Sequence, residues 1–545
     1  MERSVVERPP DGFDLLEDPW IQLTDVQGCP QELSIREVFG RAAELRALAG
    51  ELPTQSFAIL RLLLAILTRS VARRTGTATG VWAQLWRAEN WPLAEIEQYL
   101  SDHRARFQLF DPVQPFFQVP GLRSANNETK PLDKIIADIP NGEKYFTTRA
   151  GSSLDRIDAA EAARWLVHVQ AFDPSGIKTG AVDDDRVKNN KGYPIGVSWA
   201  GGLGGIYVEG QTLRETLLLN LVLLDINGQR YSPQDLPAWE RAVDGPGVRA
   251  DPVPTGPVDL YTWQSRRVRL VGDRAGVVAV VLCNGDPLEP FNRHLIEPMT
   301  AWRYSKNQSK PGQPRHYPLT HDPNRALWRG LASMLGRVAD RTDVTGRAIS
   351  PGVIEWLHHL IEEDELDPGY PIRLHATGMD YVNNQSVVGQ CIDDTLGFHA
   401  ALLASDPALR VCALEAVTIA ENAVAALTGL AANLATAAGG ETTGARSRTG
   451  GRGYFALEAP YRRWLAALEP GCDLEISLEQ WQVIVRAFIE PIGYELITMA
   501  GNPARRGRKV DDRQLDSGAA INLFTRRLRL ALPAAYPSEK EVTVS

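Results

Sequence analysis

Cysteine is scarce in this chain of 545 residues: Cys29, Cys283, Cys391, Cys412 and Cys472 stand far apart, and no two form a CxxC pair. That spacing excludes a zinc ribbon and a dense disulfide framework and suits a reducing cytosol. Positive charge is short as well. Subtracting 67 acids from 58 bases leaves −9, so no bulk field draws the chain to nucleic acid, and phosphate contacts must come from local basic patches. The nine histidines include no HExxH, and His358 and His359 are adjacent, so they cannot share one helix face as i, i+4 ligands would. Gly201-Gly202-Leu203-Gly204-Gly205 matches neither GxGxxG nor GxxxxGK[ST] and reads as turns, and no GxSxG elbow is present. The N-terminus carries Glu2, Arg3, Glu7 and Arg8 where a secretion signal would place a basic stretch and then an apolar one, so a cytoplasmic protein is expected. Asn422 to Gly440 lacks charge for 19 residues but is mostly Ala with Thr, Asn and Gly, which predicts a buried helix and no membrane span.

What remains is globular in composition, with 44% hydrophobic and 23% charged residues and length enough for several cores. Ser34-Ile35-Arg36-Glu37 reads as a capping box opening a helix that stops near Gly50. Phe57, Leu60, Leu63, Leu64, Leu67 and Val71 mark a second helix, from Gln55 to Arg74, apolar nearly all round and therefore buried on several sides. Val268 and Leu270, then the run Val277 to Leu282, predict strands, one half exposed and one buried. Ser175 to Gly205, Pro233 to Gly256 and Tyr304 to Pro323 lack periodicity and predict long loops. After about Leu402 four helical patterns follow, Ala408 to Ala437, Ala456 to Ala467, Ser477 to Met499 and Leu515 to Leu532. The fold class expected is α+β: a mixed helix and strand domain over 1–400, then a four-helix bundle over 401–545. Gly439 to Gly453, with Arg446, Arg448 and Arg452, is expected to be a mobile basic loop, and a second basic segment holds Arg505, Arg506, Arg508, Lys509 and Arg513. Charge runs usually just face water, but this second one is also a candidate for gripping DNA phosphates.

Four segments stand out. They are Leu15-Leu16-Glu17-Asp18-Pro19-Trp20-Ile21, Asp111-Pro112-Val113-Gln114-Pro115-Phe116-Phe117-Gln118, Gly201 to Gly210 with Leu217 to Leu224, and Tyr381-Val382-Asn383-Asn384-Gln385-Ser386. Singly, the first two read as structural packing. The last presents three consecutive carboxamides, groups that donate and accept together and so suit base edges, although a plain turn has the same composition. In this order and spacing the four resemble the CasA family, the large subunit of the type I-E CRISPR surveillance complex called Cascade.

The resemblance implies a non-enzymatic subunit that recognises the protospacer-adjacent motif in duplex DNA, wedges the strands apart so that guide RNA can pair, and recruits a helicase-nuclease. Its expected partners are the other Cascade subunits, guide RNA and duplex target DNA. Gln385 matches the family's glutamine wedge, flanked by Asn384 and Ser386. The family's glycine loop, which lies on the minor groove, falls on Ser175 and on Gly176, Ile177, Lys178, Thr179 and Gly180. Only a backbone without Cβ approaches a groove that closely, and minor-groove readout is degenerate, so tolerance of several motifs is expected. The lysine finger has no clean counterpart; Arg293 is the nearest cation. A loop docking on guide RNA and a neighbouring subunit falls in Tyr145 to Ile157, with Phe146 as its stacking anchor. Some relatives carry paired cysteines suggesting zinc; this chain lacks them, so neither metal nor cofactor is expected. Two competing classes are a metal-dependent nuclease built on Asp183-Asp184-Asp185 and a plain scaffold.

Overall fold

The computed structural model describes residues 12–88, 91–139, 149, 155–336, 348–510 and 513–536. The chain divides into two compact units, Met1–Leu327 with Gly336–Glu365 and Arg373–Thr395, and Trp328–Leu335 with Leu366–Ile372 and Leu396–Ser545.

The first unit opens with an antiparallel sheet of β1 (Ile21–Asp25), β2 (Pro30–Leu33) and β3 (Leu45–Leu48), in the order β2-β1-β3. Helix α1 (Ile35–Gly40) starts at the expected capping box: Glu37 N–H donates to Ser34 Oγ and Ser34 N–H to Glu37 Oε2, at 3.3 and 2.9 Å. The helix does not reach Gly50. Leu45–Leu48 instead pairs with β1, Leu48 opposite Leu23, because an open sheet edge nearby offers those backbone groups partners. Helix α2 (Pro53–Val71) is the core helix the apolar pattern predicts, with Phe57, Leu60, Leu63, Leu64, Leu67 and Val71 each 3% exposed or less. Helix α3 (Ala159–Phe172) packs against α2 and ends where the candidate glycine loop begins. Beyond it come the two-residue strands β4 (Lys178–Thr179) and β5 (Lys191–Gly192), which pair with each other. Next is β6 (Gly205–Glu209), followed by the long antiparallel pair β7 (Arg266–Asp273) and β8 (Gly276–Asn284). Short β9 (Trp302–Tyr304), which ends where one expected loop begins, pairs with β10 (His316–Pro318) inside that loop. A long hairpin, β11 (Pro371–Val382) and β12 (Val387–His399), puts β11 between β12 and β6.

The second unit is built on four helices, α4 (Ala408–Ala438), α5 (Thr443–Ala466), α6 (Leu474–Thr498) and α7 (Ser517–Ala531). Trp328 stacks on Tyr461 with centroids 4.7 Å apart, and Trp481 Nε1 donates to the carbonyl of Ala416 at 2.9 Å. The charge-free stretch lies largely within α4, where Ala423, Val424, Leu427 and Leu430 are buried. The expected basic loop from Gly439 to Gly453 is mostly helix, α5. Two of its glycines serve close approach: a Cβ at Gly450 would meet Thr428 at 3.3 Å and one at Gly453 would meet Val424 and Leu427 at 3.2 and 3.3 Å, so small residues let α5 seat on α4. Between α6 and α7 the second basic segment forms a short helix, Asn502–Arg506, and a hairpin of β13 (Arg508–Val510) with β14 (Arg513–Leu515), where no strand was expected.

Candidate nucleic-acid interface

Helix α3 stops at Asp173, and Pro174 follows, a residue whose ring and missing N–H end helices. The carboxylate of Asp173 then fixes the loop base. Its Oδ2 accepts from Arg266 Nε at 2.5 Å and lies 2.6 Å from Lys178 Nζ, with side-chain exposures of 1% for Arg266, 2% for Asp173 and 12% for Lys178. Arg266 Nη2 also donates to the carbonyls of Pro174 and Gly196, at 3.1 and 2.8 Å, tying both ends of the segment to β7. Lys178 therefore turns inward, and burial holds its ammonium below the ordinary lysine pKa against the pull of Asp173. Thr179 pairs with Lys191 across β4 and β5. At Gly180 a Cβ would stand 2.6 Å from Val187 Cγ1 and 2.7 Å from the carbonyl carbon of Asn190, so packing inside the protein demands this glycine. Gly176 is different: its φ is +140° and a Cβ there would meet nothing within 4 Å. Beside it Ile177 is 57% exposed. The outward part of the loop is thus Gly176-Ile177.

The β11–β12 hairpin supplies the second component. Asn383, Asn384 and Gln385 at its tip have φ of 52°, 57° and 64°, three consecutive left-handed residues. Asparagine adopts this conformation readily; glutamine gains little from it, and a strained non-glycine position is a mark of functional sites. The turn closes through Ser386, whose N–H and Oγ both donate to the carbonyl of Asn383, at 3.3 and 2.7 Å. All three carboxamide residues are exposed. Tyr381 Oη donates to the carbonyl of Phe172 at 2.6 Å, and Ser175 N–H donates to the carbonyl of Gln385 at 2.8 Å. Glycine loop and glutamine tip, 210 residues apart in sequence, are therefore in direct contact.

The cluster Gly201 to Gly205 sits beneath the hairpin. A Cβ on Gly201 would lie 2.4 Å from Tyr381 Oη, and one on Gly204 2.1 Å from the carbonyl oxygen of Leu319. Gly201 and Gly204 are thus close-packing glycines, a role beyond the expected turns and invisible until Tyr381 and Leu319 were placed.

The other expected residues lie apart. Arg293 is half-buried, its Nε buried without a hydrogen bond and its pKa lowered by desolvation; among the described residues nothing bonds it to the loop or the tip. Phe146 lies outside the described residues. In the second unit Arg505, Arg506, Arg508 and Lys509 are exposed. Arg508 lies against the end of α4, where a Cβ on Gly439 would come 1.9 Å from its Nη2, and a cation at a helix C-terminus is favoured by the backbone dipoles. Of the three aspartates, Asp184 is engaged by Arg186, Nε to Oδ1 at 2.9 Å and Nη2 to Oδ2 at 3.0 Å. Among the described residues no group of three or more His, Cys, Asp or Glu side chains is placed to hold a metal ion.

The family model for CRISPR-associated protein Cse1 matches residues 14–490. The chain belongs to the Cse1 family. It is 29% identical over 502 residues to the CRISPR-associated protein CasA/Cse1 of Thermus thermophilus, covering 87% of this chain and 90% of that one. The crystal structure of Thermobifida fusca Cse1 superposes with a TM-score of 0.89 at 42% identity, covering 96% of this chain and 99% of the other. A chain of a CRISPR RNA-guided surveillance complex shares the fold, with a TM-score of 0.67 at 20% identity over 96% of this chain and all of its own length. The basic segment at 505–509 lies beyond the residues matched by the Cse1 family model.

Proposed function

We propose that this Cse1-family chain is the large subunit of an RNA-guided antiviral surveillance complex, that it recognises a short motif in duplex DNA and opens the strands beside it, and that a helicase-nuclease is recruited afterwards. The observation that carries the reading is the hydrogen bond from Ser175 to Gln385, which holds the loop bearing the exposed Ile177 against an exposed carboxamide tip. A loop position without a Cβ suits close approach to the minor groove, and a side chain on a backbone-anchored turn next to it suits insertion between base pairs. Guide–target pairing roughly balances the duplex lost, so the step needing help is the first base pair, a local cost of a few kcal/mol that a wedge held by motif contacts can offset. In this reading Gly176 and Ile177 face the groove, with Thr179 and Gly180 shaping the loop and Lys178 anchoring it. Asn384 and Ser386 hold Gln385 in place, Arg293 is a minor contributor, and Phe146 serves docking on guide RNA and a neighbouring subunit. The chain performs no bond-breaking chemistry itself.

Gly176→Asp in reconstituted complex tests the loop. Among the described residues nothing stands within 4 Å of a Cβ at Gly176, so against Gly176→Ala, which carries the same backbone cost, the aspartate should abolish discrimination between good and poor motifs on linear duplex. Retained discrimination would show that another element meets the groove. Cleavage of DNA by the isolated chain with a divalent metal would favour the nuclease alternative, and loss of assembly with discrimination intact would favour a scaffold.

A further inference from the structure

The first unit contains a cavity of about 390 Å³ with Gln385 on its border. Its floor is buried, with Trp199, Trp263 and Asp286 at 6%, 2% and 2% exposure, while Arg303 and Thr320 at the rim are open to solvent. The volume falls in the range of small-molecule sites. The walls narrow the occupant. They include Tyr317, with the Arg303 guanidinium carbon 5.8 Å from its ring centroid, a combination on which bases of any sequence stack, while Trp199 and Trp263, nearly fully covered, close the floor. Asp286 is only partly satisfied: Oδ1 accepts from Arg267 Nη2 at 2.6 Å and from the N–H of Arg249 at 3.0 Å, whereas Oδ2 accepts no hydrogen bond, Arg249 Nε standing 3.8 Å away. That oxygen is itself shielded from solvent, so the carboxylate helps to close the floor of the cavity and does not select the occupant.

We propose that the cavity receives the nucleobase that loses its partner when Gln385 enters the duplex, whichever base that is. The inference rests on the wedge reading of Gln385. Since guide RNA pairs with the target strand, the orphaned base belongs to the displaced strand. Holding that base outside the helix opposes re-annealing at the point where the open region is shortest.

The test uses reconstituted complex and a target carrying a pre-melted bubble beside the motif, so that occupancy does not depend on opening. The first displaced-strand position is cytosine, thymine or an abasic site. Cytosine and thymine should each bind at least about fivefold more tightly than the abasic site, the low end of base–aromatic stacking. Tyr317→Ala should narrow the difference, and 2-aminopurine at that position should brighten in this variant as it loses its stacking partner. Equal affinity for cytosine and abasic targets overturns the proposal, whatever Gln385→Ala does, and needs no variant to fold. Normal opening of a fully paired target by Gln385→Ala would instead overturn the wedge reading, leaving the bubble comparison to decide the cavity on its own. Deoxycytidine monophosphate that binds the isolated chain without competing with the displaced strand would assign the cavity to a free nucleotide and overturn the proposal.

Discussion

Asp173→Asn removes the carboxylate that faces two buried cations while leaving the volume unchanged. The carboxylate lies 2.5 Å from Arg266 and 2.6 Å from Lys178, and Arg266 and Asp173 are within 2% of full side-chain burial. Breaking a buried pair by deleting one partner typically costs about 3–5 kcal/mol, because the surviving charge stays desolvated. Lys178→Met is the informative contrast. It removes the surplus cation and leaves the Arg266–Asp173 pair intact, so its cost should stay within about 1 kcal/mol. The double variant should fall between, since Arg266 keeps the carbonyls of Pro174 and Gly196 as acceptors. Denaturant unfolding at pH 7, followed by tryptophan fluorescence and compared at constant m, gives the three values. Asp173→Asn should also loosen the loop and weaken motif discrimination. A cost below about 1 kcal/mol for Asp173→Asn, or an equal cost for Lys178→Met, would refute the assignment of Asp173 as the charge that fixes the loop base.

His168 is fully buried beside Thr54, and burial pushes its pKa down from 6.5 to about 3. Below pH 6.5 the unfolded chain takes up a proton that the folded one refuses, so stability falls as pH drops from 6.5 towards 3, by about 2 kcal/mol at pH 5. His168→Gln should flatten that dependence in denaturation at pH 7 and pH 5, and an unchanged dependence would count against it. At Gly493 a Cβ would lie 2.4 Å from Phe524 Cε1, so Gly493→Ala should lower the melting temperature despite the ~1 kcal/mol helix preference of alanine; a higher one would mean that the ring yields freely. If Arg505 and Arg506 grip phosphates, neutralising both should flatten the log-affinity against log-salt slope by about 0.9 per contact on good and poor motifs alike, and an unchanged slope would assign them to solvent or a protein partner.

Local patterns carried much of the fold. The Ser34–Glu37 capping box, the all-round apolar α2, the β7–β8 pair and the helices of the second unit were each legible because neighbours in sequence decide them. Residues whose partners are distant were not legible. Arg61, Arg266 and Arg267 count as surface residues in any composition argument, yet each is 1% exposed. Arg61 pairs with Glu297 at 2.8 Å, and Arg267 holds the carbonyls of Gly245 and Gly247 at 2.9 Å, replacing with side-chain donors the backbone pairing that the aperiodic loop lacks. The inward turn of Lys178 was hidden for the same reason, since its partner Asp173 is brought to it only by the folded loop base. The glycines of α5 promised mobility, where in fact Gly450 and Gly453 are small residues that let two helices meet. Of the site, the carboxamide tip and the glycine loop could be named singly from the sequence, but their contact and the cavity beside them depend on the fold.

The central claim is that Gln385 opens the duplex. Strand separation by reconstituted complex, read from a base-analogue fluorophore beside the motif, tests it most directly. Gln385→Ala should slow opening of a fully paired target while leaving initial duplex contact nearly unchanged, and a pre-melted bubble should restore the rate. Opening of the paired target at the wild-type rate would contradict the account.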